Sequence, residues 1–230
     1  MHPALVVGLG VLPSLVWLIF YLQQDRKHPE PVWMIIYAFI LGGMMTFFAL
    51  VLQMLARTWF IRYGIGGHSP FELGVFATIE EVLKFLAMYW FISKRKDFDE
   101  PLDAMVYMIT IALGFAAVEN IASLFQSNNV VGMTAGLVTP LGGLALRFFG
   151  ATLLHSVTSG LIGYHWGLAI VRRRPLWIYL TLGVAMASAL HGVFNYLILK
   201  TGPGTWAITF AMFIAFFLLG DFEALKAVDD

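Results

Sequence analysis

The sequence predicts an all-α protein: a polytopic bundle of about seven transmembrane helices forming one integral-membrane domain over residues 1–230. Three observations predict it. The chain is 60% hydrophobic and 12% charged, against about 45–50% and about 25% in soluble domains. Its apolar residues fall in blocks of roughly 20, the length at which a helix crosses a hydrocarbon core. Its charges gather between the blocks, whereas a soluble helix interleaves them at helical spacing. The chain has no cysteine, which excludes disulfides, thiolate nucleophiles and Cys-ligated metals and leaves histidine and carboxylate as ligands. A net charge of zero offers no basic surface for nucleic acid.

The spans follow in order. The first, residues 3–22, lacks a basic leader and a small-residue cleavage site, so it reads as a retained span and not a signal peptide. The loop from Asp25 through His28-Pro29-Glu30-Pro31 ends it, and the second span covers 33–55. Arg57 to Glu72 leads to a third span at 73–92, and Lys94 to Pro101 to a fourth at 102–125. Val130 to Leu146 is uncharged but broken by Pro140, Gly142 and Gly143. It reads as an interfacial or re-entrant segment, because a complete span would leave no room for a turn. The fifth span, 147–171, ends at Arg172 to Pro175, and the sixth and seventh cover 177–199 and 205–220.

Loops one, three and five and the C-terminus carry Arg26, Lys27, Lys94, Arg95, Lys96, Arg172, Arg173, Arg174 and Lys226. The opposite side carries Arg57, Arg62 and Lys200, with Arg147 at the boundary. The positive-inside rule therefore places the N-terminus outside and the C-terminus in the cytoplasm. An eighth span would break this alternation.

Against that apolar background, Glu80, Glu81 and Lys84 lie inside the third span, Glu119 in the fourth, His155 in the fifth and His191 in the sixth. One ionised side chain at the centre of a membrane helix costs about 2.5–3.5 kcal/mol on insertion scales. Counted from the cytoplasmic helix ends, Glu81 lies about 18 Å deep, His191 about 21 Å, and Glu119 and His155 about 26 Å. All four share the outer half of a core about 30 Å thick, which points to one shared site.

Lys84 is three or four residues from both glutamates and can pair with either. Neighbouring helix positions differ by about 100°, so one of Glu80 and Glu81 faces the reacting centre while the other supports it. Arg147, Ala151, His155 and Ser159 form one stripe, His191 and Asn195 another, and Gly160, Gly163 and Gly167 a small-residue edge for close helix contact. A lone membrane histidine is often only an interhelical hydrogen bond, and His165, beside Tyr164 and Trp166, reads as an interfacial anchor. His2, His28 and His68 are loop residues.

Carboxylates with imidazoles suit two tasks. One is hydrolysis, with a carboxylate as general base and imidazoles binding a divalent metal or stabilising an oxyanion, and Asn195 as an amide donor. The other is a proton or cation pathway, as in an ion-coupled transporter. No inverted repeat or matched pair of broken helices supports the transporter, and a non-catalytic scaffold for single-pass partners is a third possibility. No His-Glu-x-x-His occurs. Leu218-Leu219-Gly220-Asp221 lacks a second membrane aspartate, and Ser159 lacks the glycine pattern of rhomboid proteases.

Glu80-Glu81-Val-Leu-Lys84 resembles an EExxK motif, Phe115-Ala-Ala-Val-Glu119-Asn120 an FxxxE motif followed by Asn, and His191-Gly-Val-Phe-Asn195 an HxxxN motif. Asp25 to Pro31 resembles a Pro-Glu-Pro signature. In this order they resemble the PrsW-type intramembrane proteases, relatives of the CAAX-prenyl endopeptidases and bacteriocin-processing proteins. The resemblance implies a multi-pass bacterial plasma-membrane metallopeptidase whose partners are the lipid bilayer and single-pass substrates such as anti-sigma factors, cut on the extracytoplasmic side. It implies that Glu80 and Glu81 carry the base and its support, Glu119 a ligand or polarising role, and His191 with Asn195 the electrophilic side. His155 is similar to the family's fifth-span histidine. The expected centre is a water activated by Glu80 or Glu81 and a zinc ion held by Glu119, His155 and His191, with Lys84 and Asn120 in support.

Overall fold

The computed structural model describes residues 2–25, 28–65, 69–130, 147–201 and 205–229. Among them run α1 (Pro3–Leu22), α2 (Val32–Arg62), α3 (Pro70–Ala87), α4 (Asp103–Val130), α5 (Leu153–Val171), α6 (Leu176–Thr201) and α7 (Thr205–Asp229). A π-helical turn, Met88–Ile92, extends α3, and another, Arg147–Thr152, leads into α5. The Val130 to Leu146 segment, expected to be interfacial or re-entrant, lies outside the described residues apart from its first residue, which ends α4.

Local chemistry sets the helix starts. α1 and α3 open on Pro3 and Pro70, where the missing N–H has no intrahelical partner to lose. The Ser69 hydroxyl accepts the Glu72 N–H at 3.2 Å, and Asp103 at the head of α4 accepts the N–H groups of Asp99 and Glu100, each at 2.8 Å. α2 and α7 outrun the predicted spans, which stopped near the first charge. Helices need not stop there, since Arg57, Arg62 and Glu223 are accommodated beyond the apolar core, where long side chains reach water.

Each of the seven predicted spans falls on a helix, and α1, α2, α4, α6 and α7 are long and apolar enough to cross a membrane. The two that are not, α3 and α5, are 18 and 19 residues long and carry half of the buried polar residues among those described. α5 is wrapped by α4, α6 and α7 and touches α3, with 14 of its 19 residues buried. A helix sheathed by protein can carry Ser156, Thr158, Ser159 and two histidines that a lipid-facing helix could not. The outer faces of α2, α6 and α7 expose Phe47, Phe48, Trp177, Phe213 and Phe216, as a bilayer requires. The whole is an all-α polytopic membrane bundle.

Glycines bring the backbones together. A Cβ on Gly163 would stand 2.4 Å from the Ala104 carbonyl oxygen, and one on Gly160 would meet Leu218 at 2.9 Å, so the small-residue edge of α5 seats against α4 and α7. The α2–α4 crossing is tighter still: Cβ atoms on Gly42 and Gly114 would stand 1.9 Å from the carbonyl oxygens of Ile111 and Phe39. At one end of the bundle Lys226 donates to Gln24 at 3.4 Å and His28 meets Glu100 at 2.6 Å. The first loop, the third loop and the end of α7 therefore share that end.

Gly42→Ala and Gly114→Ala should each destabilise the bundle by about 1–3 kcal/mol or more, the range for overpacking. Gly8→Ala, where a Cβ meets nothing within 4 Å, should be neutral or stabilising. Thermal unfolding of the purified protein in detergent, followed by circular dichroism, measures the difference.

Candidate active site

Four helices bring Glu80, Glu81, Lys84, Glu119, His155 and His191 into one buried cluster, and α2 contributes a fifth wall. On α3, Glu81 and Lys84 are fully buried. The Lys84 ammonium donates to Glu81 Oε1 at 2.8 Å, reaches His155 Nδ1 at 2.8 Å and lies 4.8 Å above the Phe115 ring, a cation–π contact. The Glu81 carboxylate also accepts from Ser159 at 2.9 Å, from Thr158 at 3.1 Å and from His191 Nδ1 at 2.8 Å. An ionised carboxylate buried this deeply is tolerable only when its lone pairs are so occupied. Glu81 has no oxygen to spare.

Hydrogen-bond logic fixes both imidazoles. Lysine only donates, so His155 Nδ1 accepts, and Nε2 carries the proton given to Glu119 Oε2 at 2.7 Å. Glu81 only accepts, so His191 Nδ1 donates and Nε2 is left with a free lone pair. That lone pair faces Glu80 Oε2 at 3.6 Å. Glu80 Oε1 accepts from Gln53 at 2.7 Å, while Oε2 is buried with no hydrogen-bond partner. Two acceptors therefore face each other with nothing donated between them.

This arrangement fits a divalent metal. Glu80, His155 and His191 each offer an atom within 4.8 Å of the other two. Two ligands about 2.1 Å from a tetrahedral zinc stand about 3.4 Å apart, close to the observed 3.6 Å between Glu80 and His191. Three glutamates against one lysine leave two negative charges when all are ionised, the charge a divalent ion neutralises. Glu81 behind His191 and Glu119 behind His155 stand where carboxylates orient ligating histidines.

The expected residues are not grouped as anticipated. Glu80 joins the two histidines in the three-donor group, while Glu119, expected as a ligand, pairs with His155 Nε2 at 2.7 Å; its side chain is 32% exposed, the most open of the cluster. Asn195 is half-buried one turn beyond His191 and bonds to none of the cluster among the described residues. Asn120 donates to Thr152 at 2.9 Å, tying α4 to the head of α5. His165 stays apart, buried against Gly183 and bonded to the Leu161 carbonyl of its own helix. The side chain of Arg147 and all of His68 lie outside the described residues. Gln53 and the pairing of Thr158 and Ser159 with Glu81 were missed. A lone amide inside the apolar run of α2 is the signal that could have found Gln53.

Lys84→Met should destabilise the protein by about 3–5 kcal/mol, because it strands the Glu81 charge. Compared with metal-free wild type, Glu80→Gln should stay within about 1 kcal/mol, since its new amide can donate to His191 Nε2. Thermal unfolding of the two variants side by side checks this; equal destabilisation would refute the division between an anchored Glu81 and an unpartnered Glu80.

Residues 30–220 match the model of the PrsW family intramembrane metalloproteases. Protease PrsW of Geobacillus kaustophilus HTA426 is 27% identical over 195 residues, 84% of this chain and 80% of that protein. Protease PrsW of Bacillus subtilis 168 is 26% identical over 218 residues, 92% of this chain and 89% of that protein. Protease PrsW of Clostridioides difficile 630 is 25% identical over 193 residues, 83% and 78% of the respective chains. No solved structure matches the chain. With a buried Glu–His centre able to hold a divalent metal inside a polytopic helix bundle, the chain belongs to the PrsW family of intramembrane metalloproteases, multi-pass proteins of bacterial membranes.

Proposed function

We propose that the chain cuts membrane-tethered proteins, anti-sigma factors among them, near the outer face of the plasma membrane, at a centre where Glu80, His155 and His191 hold zinc. The observation that carries this reading is the pair of buried, facing acceptors, Glu80 Oε2 and His191 Nε2. Two histidines and a glutamate are a usual catalytic zinc set. His155 joins by exchanging one of its two present partners for the ion. When bound, the metal polarises the peptide carbonyl and lowers the pKa of water from 15.7 to about 7.

The chain's own residues do the rest. Glu119, the most open carboxylate of the cluster, takes a proton from the water as its oxygen bonds to the peptide carbonyl carbon. The same proton passes to the amide nitrogen as the C–N bond breaks, leaving a carboxyl on one fragment and an amine on the other. Lys84 and Glu81 hold the two imidazoles in register, and Asn195, one turn beyond His191 on α6, donates to the carbonyl oxygen of the bound peptide. The base is thus assigned to Glu119, and Glu81, fully bonded, to positioning.

An apolar groove of about 1300 Å³ runs between α3 and α6, lined by Val75, Val82, Leu180, Val184 and Ser188. From Pro70 to Trp90 it extends about 30 Å, the thickness of a hydrocarbon core. Its two helices carry Glu80 and His191, and the Ser188 hydroxyl lining it has no hydrogen-bond partner. These features suit one membrane segment of a single-pass substrate. The lysine and arginine distribution supports seven spans with the N-terminus outside, which sets the cluster in the outer half of the membrane.

The test is zinc content and cleavage of a panel of tagged single-pass proteins by the purified enzyme. Glu80→Gln and His191→Ala should lose both the metal and cleavage. Glu119→Gln should keep the metal and lose at least a hundredfold in rate, within the typical range for a general base. Metal retained in Glu80→Gln and lost in Glu119→Gln would exchange their roles. Cleavage by metal-free wild type would sink the zinc reading.

A further inference from the structure

At the end of the bundle where the first loop meets the head of α4, Asp25, Glu30 and Asp103 each place a carboxylate atom within 4.8 Å of the other two. Asp25 is 4% exposed and Asp103 1%, and Glu30 is half-buried. Among the described residues, the donors around them are the Tyr107 hydroxyl, which donates to Glu30, the N–H groups of Asp99 and Glu100, which donate to Asp103 Oδ2, and the His28 N–H, which donates to Asp25. Glu30 and Asp103 also share a hydrogen bond, whose single proton leaves two of the three charges in place. The nearest described imidazole, His28, is engaged with Glu100 at 2.6 Å. Most telling, Asp25 Oδ2 is buried with no hydrogen-bond partner at all. The cluster lies about 24 Å along α4 from Glu119, at 1.5 Å per residue, so it is separate from the centre described above and does not depend on its assignment.

We propose that Asp25, Glu30 and Asp103 form a second cation site, built for a hard divalent ion of the calcium class, which fastens the first loop to the head of α4. The donors are all oxygens, which select calcium, magnesium or manganese over zinc. Calcium bonds to oxygen at about 2.3–2.6 Å, so ligands on opposite sides of it stand about 5 Å apart, and three carboxylate atoms within 4.8 Å of one another can share one ion. Water and carbonyl oxygens complete such a shell. The ion couples α1, α2 and α4 at one end of the bundle, as Glu81 couples α3, α5 and α6 further in.

The test uses the full-length protein in detergent, stripped with a chelator. Terbium, a luminescent stand-in for calcium, should bind saturably with emission sensitised by Tyr107, and calcium should displace it. Asp25→Asn should weaken that binding at least tenfold, while His155→Ala should leave it unchanged. Millimolar calcium should raise the midpoint of thermal unfolding of the stripped wild type by several degrees, as any ligand confined to the folded state must, and should leave Asp25→Asn unmoved. Terbium bound equally by wild type and Asp25→Asn overturns the proposal. Should Asp25→Asn fail to fold, the wild type decides alone: a midpoint indifferent to calcium, magnesium and manganese means that protons or a protein cation, and no metal, neutralise the three carboxyls.

Discussion

The Glu81 carboxylate is the constraint on which the bundle turns. A charge at 0% exposure inside an apolar bundle is stable only if donors reach it from every side. Lys84 comes from its own helix, Thr158 and Ser159 from α5, and His191 from α6. Each donor fixes the rotation and depth of the helix that carries it, so one buried anion sets three helices in register. The same bonds decide which nitrogen of His191 is left free, so the folding constraint and the chemical poise of the site are one arrangement.

α5 makes that arrangement possible. Its polar residues would be intolerable in lipid, but α4, α6 and α7 surround it, and Gly160 and Gly163 let α7 and α4 approach closely. Close approach matters because hydrogen bonds of 2.7–2.9 Å join His155 to Glu119 and Ser159 to Glu81 across helices that bulkier contact residues would hold apart. α5 and the long α4 therefore form the interior, α3 turns its polar face inward from the rim, and α1, α2, α6 and α7 expose most of their length.

Much of this is legible in the chain. Seven apolar blocks separated by Pro, Gly and charge clusters locate seven helices, and charges inside the blocks mark the shared site. Helix ends are less so, because α2 runs on through Arg57 to Arg62 and α7 through Glu223 to Asp229; a charge ends the apolar core without ending the hydrogen-bond ladder. The two short helices fail a test of length and apolarity alone, because they carry most of the polar groups of the cluster.

By itself the sequence determined the class, the membrane environment and the set of ionisable groups, because periodicity, length and the penalty for membrane charge are local properties. It could not rank Glu80 against Glu81. They are neighbours on one helix, and only the packing of α5 and α6 onto α3 surrounds Glu81 with donors and leaves Glu80 Oε2 bare. Nor could it show that Glu119 is the partner of His155 Nε2, a pairing that follows from Lys84 occupying Nδ1. The meeting of Asp25, Glu30 and Asp103 was equally invisible, for it depends on two loops closing over the same end of the bundle. Tertiary structure decided the partners, and with them the chemistry.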